Sequence, residues 1–420
     1  MYRIRIKKFK MPINCMFISI ICSVFVLNYF MVWNDLLVKI YAMLTLAVSV
    51  FFLKLIIERK NKALIIPSVF IFHCNYSVVV GVYFESFIIY QLYRQIRDVN
   101  TYGVTIGLLL IFFCVFALGL YNHEISSAFI ELELKENKFI FLLIEIGLIF
   151  IFIFATGHEI GKRDNSALYE YSVILFIIQM YYAGKNSYLK IITFFTIMLF
   201  SAMSLLKGNR VEAICFLIAV FIIYYSNKFK VWMIVAGTLA ATFGMEILGY
   251  VRDGNLSLGK ILQRVYDYKL VQRTAVSAYF PALAIDEMRL QTTWLEGLKQ
   301  LVTYIKYIFL GSSVKDFNLI ELSRDIYPHS GGSFSFAFFY YWLKEFGVIF
   351  YGILSSKIFH ALYEGKTRYI KFLAIYLCAT IPRSYLYGAS SLFRGALIFS
   401  VVYYIGVFLP ERTVFKWKSK

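Results

Sequence analysis

Long apolar blocks alternate with short polar segments along the whole chain. Twelve such blocks lie at 13–32, 36–57, 63–90, 102–121, 139–156, 170–183, 187–206, 211–226, 231–250, 334–354, 368–382 and 392–409. A helix of about 20 residues crosses the hydrocarbon layer of a bilayer. Lipid cannot hydrogen-bond a backbone, so a crossing segment must be a helix or belong to a closed barrel. Barrel strands alternate apolar and polar residues, whereas these blocks are apolar on every side, which predicts helices. The pattern therefore predicts an all-α integral membrane protein with about 12 transmembrane helices and one large late periplasmic loop. Residues 1–250 hold helices one to nine, 251–333 the loop, and 334–420 the last three helices. The start, MYRIRIKKFK before an apolar run, imitates a signal peptide. The run is long for such a peptide and no small-residue cleavage site follows, so a retained first helix is expected.

The 251–333 segment lacks the Pro/Gly/Ser-rich composition of a linker. Within it Trp294, Leu295, Leu298, Leu301, Val302, Ile305, Ile308 and Phe309 recur at helical spacing, with Lys299, Gln300, Thr303 and Lys306 between them. That spacing predicts an amphipathic helix, lying on the outer leaflet or packed on the top of the helix bundle.

Composition agrees with a membrane class. The chain is 60% hydrophobic and only 16% charged, against about a quarter charged in soluble domains. The net charge of +18 would suggest nucleic acid in a soluble protein, but no basic and aromatic RNA-binding module is visible. Topology accounts for the charge better. With the N-terminus inside, the inside segments carry 22 Lys and Arg and the short outside loops 9, as the positive-inside rule requires. Both termini are then cytoplasmic. Cys15, Cys22, Cys74, Cys114, Cys215 and Cys378 all fall in apolar blocks without metal or disulfide spacing, so they read as small hydrophobes. Glycine-rich nucleotide loops, H-E-x-x-H, zinc-spaced ligands and D-x-D are absent. No cofactor and no metal are expected, and neither is a nucleotide-sugar donor held by a metal. No internal repeat is visible, although repeats are common in transporters.

The chemistry-bearing residues gather on the outer side. Arg210 follows Lys207-Gly208-Asn209, Arg252 opens the long loop, Arg324 lies near its end, and Arg383 and Arg394 flank the last outer loop. Arginine's planar fork suits a phosphate or diphosphate. Singly, each is read first as meeting headgroups or capping a helix; the group of five points to an anionic, membrane-bound substrate. His329, in Pro328-His329-Ser330-Gly331-Gly332-Ser333, is the histidine best placed for acid/base work, a surface cap being the plain alternative. Asp325 and Glu321 are reserves. Within or near the spans, Glu85, Glu145, Glu246, Lys344, Glu345, His73 and Asn75 either line a cavity or pair for packing, the latter preferred for Glu145.

On two local motifs and its architecture the chain resembles the Wzy-type O-antigen polymerases. Gly208-Asn209-Arg210 is similar to that family's G-x-R, and His329 to Ser333 followed by Phe346-Gly347 and Gly352 is similar to its segment ending in an aromatic-Gly pair and a further Gly. The chain departs from the family at Tyr341, where Glu is frequent, and at Glu345, where Asn is common. The resemblance implies a polymerase that transfers a growing glycan from undecaprenyl diphosphate to the next lipid-linked repeat unit at the periplasmic face of the inner membrane. It implies a chain-length regulator and a flippase as partners, beside the bilayer. The five arginines would then hold the diphosphate, with Arg210 and His329 catalytic. The alternatives are a lipid-linked oligosaccharide flippase and an O-antigen ligase.

Overall fold

The computed structural model describes residues 2–84, 98–123, 132–155, 167–206, 210–252, 259, 262, 263, 266, 269–329 and 331–412. Among these, regular structure is helical, with two isolated bridges, Glu136 with Ala183 and Ser333 with Tyr387. Seven helices are long and apolar enough to cross a membrane: Pro12–Phe30, Asp35–Glu58, Lys62–Phe84, Val99–Asn122, Ser187–Leu206, Ser335–Glu364 and Ser390–Arg412. The chain is thus a multi-pass α-helical membrane protein. The other five apolar blocks also hold helices, α5 (Lys138–Ala155), α6 (Ala167–Tyr182), α8 (Arg210–Val220), α9 (Val231–Arg252) and α14 (Arg368–Ala379). Four of the six cysteines are buried, whereas Cys15 and Cys22 are exposed on the first helix.

Two compact units interleave along the chain. The first takes Met1–Ser127, Lys230–His360 and Ser384–Ala389; the second takes Ala128–Phe229, Ala361–Arg383 and Ser390–Lys420. In the first unit α1 (Tyr2–Phe30), α2 (Asp35–Glu58), α3 (Lys62–Val78, continued by a π-helical turn to Phe84) and α4 (Val99–Asn122) pack together. Asn34 caps α2 by accepting from the Leu37 amide at 2.9 Å, and Asp98 caps α4, each satisfying an N–H the helix leaves free. The apolar window of α4 is 89% buried and that of α1 only 17%. Both are strongly apolar, with mean hydropathy 2.6 for α4 and 2.0 for α1, so the buried α4 is the central post of this unit and α1 presents its surface outward.

The tenth apolar block is not one crossing helix. The element Ser335–Glu364 breaks at Leu343 (φ −131°, ψ 17°) and Lys344 (φ 53°, ψ −147°), and the chain reverses there. Phe339 stacks on Tyr351 with centroids 4.6 Å apart, although twelve residues of straight helix would separate them by about 18 Å. Residues 335–342 therefore form a short half-helix folded against the start of 345–364. The half-helix is about 12 Å long, too short to cross, so of the two arms only 345–364 has the length to cross. Gly347 makes the fold-back possible: a Cβ there would stand 2.0 Å from the Phe339 carbonyl oxygen.

The 251–333 segment contributes to the body of this unit. Within it α10 (Arg273–Leu290) packs against α3 and α4, burying Ala275, Tyr279, Leu283 and Ile285. The amphipathic helix forms as α11 (Trp294–Leu310), opened by a capping box of Thr293 and Glu296. Gly297, Tyr304 and Tyr307 bury one side of it. Trp294, Leu295, Val302, Ile305 and Phe309 lie exposed on another, and Lys299 and Lys306 line a third. An apolar stripe beside a charged one suits a bilayer interface.

Gly347→Ala is expected to open the hairpin and cost at least about 2 kcal/mol, the scale of an overpacked core. Gly147→Ala, where a Cβ meets nothing within 4 Å, is expected to leave stability unchanged or higher. Thermal unfolding of both variants in detergent measures the contrast; equal midpoints would contradict the fold-back.

Candidate functional site

The chain enters the half-helix by an irregular path. Short helix α12 (Leu319–Leu322) leads into a 3₁₀ turn at Ser323–Asp325. Beyond Pro328, the backbone at Gly331 (φ 92°) and Gly332 (φ 80°) takes left-handed angles, which glycine adopts at little cost. Residues 333–335 then dock on the segment 384–388. The Ser333 amide donates to the Leu386 carbonyl and the Gly388 amide to the Ser333 carbonyl, both at 2.9 Å, and the Ser335 hydroxyl donates to the Ser384 carbonyl. Phe334, fully buried, packs on Tyr385 at 4.9 Å. The Tyr385 hydroxyl donates to Asn75 Oδ1 at 2.7 Å, and Asn75 Nδ2 donates to Ser49 Oγ at 2.8 Å. A polar chain from α2 through α3 thus anchors the irregular stretch and half-helix 331–342.

His329 sits at the mouth of that stretch. The Gly331 amide donates to Nδ1 at 3.3 Å, so the ring proton is on Nε2, which faces Ser323 Oγ at 2.9 Å. Ser323 in turn donates to the Ile320 carbonyl at 3.0 Å. Burial, with the positive Arg324 beside it, pulls the imidazole down to a pKa of about 4. The ring is neutral and both nitrogens are engaged, so in this arrangement it pins the loop, and acting as a base would require the Gly331 contact to open. Arg324 is exposed, and its Nη2 lies 3.8 Å from where a Cβ on Gly331 would stand. Glu321 and Asp325 are exposed on the same turn. The structure therefore brings Arg324, His329, Asp325 and Glu321 into one loop.

Beneath the far end of the half-helix lie two groups that the sequence pattern did not single out. Arg289, at 0% exposure, donates through Nη1 to the Thr292 carbonyl at 2.8 Å and the Thr293 carbonyl at 2.9 Å. The Trp294 and Tyr341 rings lie 5.8 and 5.9 Å from its carbon centre, within cation–π range. Its Nε and Nη2 have no hydrogen-bond partner among the described residues. A Cβ on Gly297 would meet the Tyr341 carbonyl at 2.7 Å, the Trp342 carbonyl at 3.0 Å and Arg289 Nη2 at 3.3 Å. Glycine at 297 lets the guanidinium and the carbonyl end of the half-helix share that space, where the helix dipole favours positive charge. Asp286, one turn earlier on α10, is also fully buried, with the Thr105 hydroxyl beside it. Burial holds its carboxyl well above the usual carboxylate range, and the nearby Glu345 pushes the same way. Glu345 accepts from Asn28 Nδ2 at 3.2 Å. The signal for this pair was three charged residues, Asp286, Glu287 and Arg289, closing an otherwise apolar run. Charges look ordinary in a segment taken for an outer loop.

The remaining arginines are in different circumstances. Arg383, in the second unit, is committed to protein carboxylates: Nη1 pairs with Glu212 at 2.8 Å and Nη2 with Glu170. A guanidinium neutralised twice offers little to a diphosphate, and the three groups instead tie α6, α8 and the segment at 383 together. Arg394 is half-buried. Arg210 opens α8 and Arg252 closes α9; their side chains lie outside the described residues, as do Gly208 and Asn209. Arg252 and Arg324 belong to the first unit, Arg210, Arg383 and Arg394 to the second. Of the polar residues within spans, Glu145 accepts from Thr196 at 2.7 Å and from Gln179, and His73 meets the Leu270 carbonyl at 3.0 Å. Both act in packing. Glu85 and the Glu246 side chain lie outside the described residues. No trio of metal-ligating side chains occurs among the described residues.

The low pKa of His329 makes a signed prediction. Between pH 6.5 and about 4 the unfolded chain binds a proton at His329 that the folded loop does not, so stability falls as pH drops through that window. The thermal midpoint of the wild type is expected to fall more between about pH 7 and about pH 5 than that of His329→Gln. Parallel midpoints would contradict the pinned loop.

Set against known proteins, the chain matches no family model, no curated protein and no solved structure.

Proposed function

We propose that this protein polymerises oligosaccharide repeat units carried on undecaprenyl diphosphate, at the periplasmic face of a bacterial inner membrane. In this reading the chain crosses twelve times with both termini in the cytoplasm. An acceptor hydroxyl on the incoming unit attacks the anomeric carbon of the donor glycan. The bond from that carbon to the diphosphate breaks, the diphosphate leaves with its charge, and the hydroxyl proton passes to a base. Developing charge on the leaving group is stabilised by fixed positive groups; within the first unit Arg324 is the described candidate. Glu321 and Asp325 are the bases nearest to Arg324 with exposed carboxylates, and His329 serves once its loop contact opens. No metal or nucleotide sugar enters the step.

The observation that supports the reading is the irregular stretch and half-helix 331–342. Irregular backbone inside a membrane protein is tolerated where it is packed in protein or lines a cavity, and Lys344 holds a left-handed angle that costs on the order of 1–3 kcal/mol for a residue other than glycine and clusters at functional sites. Arg324 at its mouth and the exposed apolar face of α11 suit a substrate with a charged sugar-diphosphate head and a lipid tail. The broken helix also favours a second reading, a flippase for the same lipid-linked unit, because discontinuous helices mark transport sites.

The test is lipopolysaccharide banding in a strain lacking only this chain. The expected pattern is lipid A core bearing a single repeat unit, a ladder restored by the wild type, and no ladder from Arg324→Ala at equal protein level. Loss of all repeat units from the core, with the unit stalled on its carrier, would overturn the polymerase. Stalling in the inner leaflet would then indicate the flippase, and in the outer leaflet a ligase.

A further inference from the structure

The second unit carries a cleft that the transfer reaction does not use. Helices α7 (Ser187–Leu206) and α8, with its π-helical continuation Phe221–Tyr225, run antiparallel side by side. The start of one and the end of the other therefore meet at the same end of the pair. Lys190 and Lys228 converge there on a shallow cleft holding about 370 Å³ of space, counting the part open to the surroundings. The Lys190 ammonium stands over the Tyr224 ring at 5.2 Å and that of Lys228 over the Tyr225 ring at 5.0 Å, which sets the direction of both. Tyr224 is itself fixed, its hydroxyl donating to the Met180 carbonyl at 2.9 Å.

Neither lysine forms an ion pair with a carboxylate among the described residues. Lys185 and Lys228 are close enough for their positive charge to act on Lys190. Like charges gathered in this way favour an anion between them. The rest of the wall is apolar: Ile197 and Val220 form the floor, and Phe194 stands 48% exposed at the rim. Beside it on α7, Ile191, Phe195 and Met198 are exposed as well, so the cleft opens onto the lipid-facing surface. A soluble anion would use the two ammoniums and leave the apolar wall bare. A lipid with an anionic head uses both.

We propose that this cleft binds one anionic glycerophospholipid of the bilayer, its phosphate between Lys190 and Lys228 and an acyl chain along Phe194, Ile197 and Val220. Basic pockets between helices are recognised sites for such headgroups on the cytoplasmic side. The assignment needs only that the protein is embedded in a membrane, and it stands apart from the reaction proposed above.

The test is lipid retention by the purified full chain in nanodiscs of phosphatidylcholine containing a minor share of phosphatidylglycerol, read by native mass spectrometry. The wild type is expected to keep a phosphatidylglycerol molecule after delipidation, and Lys190→Ala/Lys228→Ala to lose it by tenfold or more, on the order expected for two lysines at an anionic headgroup. Equal retention by variant and wild type would overturn the proposal. So would equal retention of phosphatidylcholine, or displacement of the lipid by millimolar inorganic phosphate, which would make the cleft a phosphate site. If the double variant does not purify folded, the wild type decides alone, through its preference for phosphatidylglycerol over phosphatidylcholine or the lack of one.

Discussion

In lipid every backbone N–H and C=O must find its partner within the protein, and a helix break such as that at Leu343–Lys344 raises that demand. Interrupting a helix frees carbonyls at the end of 335–342 and amides at the start of 345–364. Much of the first unit is arranged around those ends. Arg289 is buried near that end of the half-helix, where Gly297 leaves room beside the carbonyls of Tyr341 and Trp342. Gly347 lets the two arms close. The opposite end of the half-helix is tied down by Ser333 and Ser335 to Leu386 and Ser384. α10, which carries Arg289, packs against α3 and α4, so the break and its counter-charge belong to one assembly.

The two units treat charge differently. In the second, partly buried charges are matched within the protein: Arg383 lies between Glu170 and Glu212, and Arg368 pairs with Glu411. Such pairs link the segments that carry them. In the first, Nε and Nη2 of Arg289 have no hydrogen-bond partner among the described residues, and Arg324 stands exposed near the glycine turn at 331–332. A buried donor in that condition calls for a specific explanation, such as a bound water, ion or ligand.

Hydropathy made the helices legible, because an apolar block of bilayer length has few other fates. The amphipathic helix 294–310 was legible through its three-and-four spacing, whereas its Thr293–Glu296 box emerged from the structure. The reversal at 343–344 was not: both arms are apolar, and hydropathy does not register a turn between them. Phe346-Gly347 stood out as a motif, yet its reason, the approach to the Phe339 carbonyl, is a contact between arms. Arg383 read as a free diphosphate ligand because Glu170 and Glu212 lie some 200 residues earlier in the chain. His329 was legible as a special histidine, but its bonds to Ser323 and Gly331 depend on the local turn.

The most direct test of the proposed polymerase is reconstitution of the purified protein in proteoliposomes with an undecaprenyl-diphosphate-linked repeat unit on the accessible face. The account predicts glycans of two or more units on the carrier, with one free undecaprenyl diphosphate released for each linkage formed and no added metal or nucleotide. Recovery of the repeat unit unchanged in length, moved to the opposite leaflet, would contradict it.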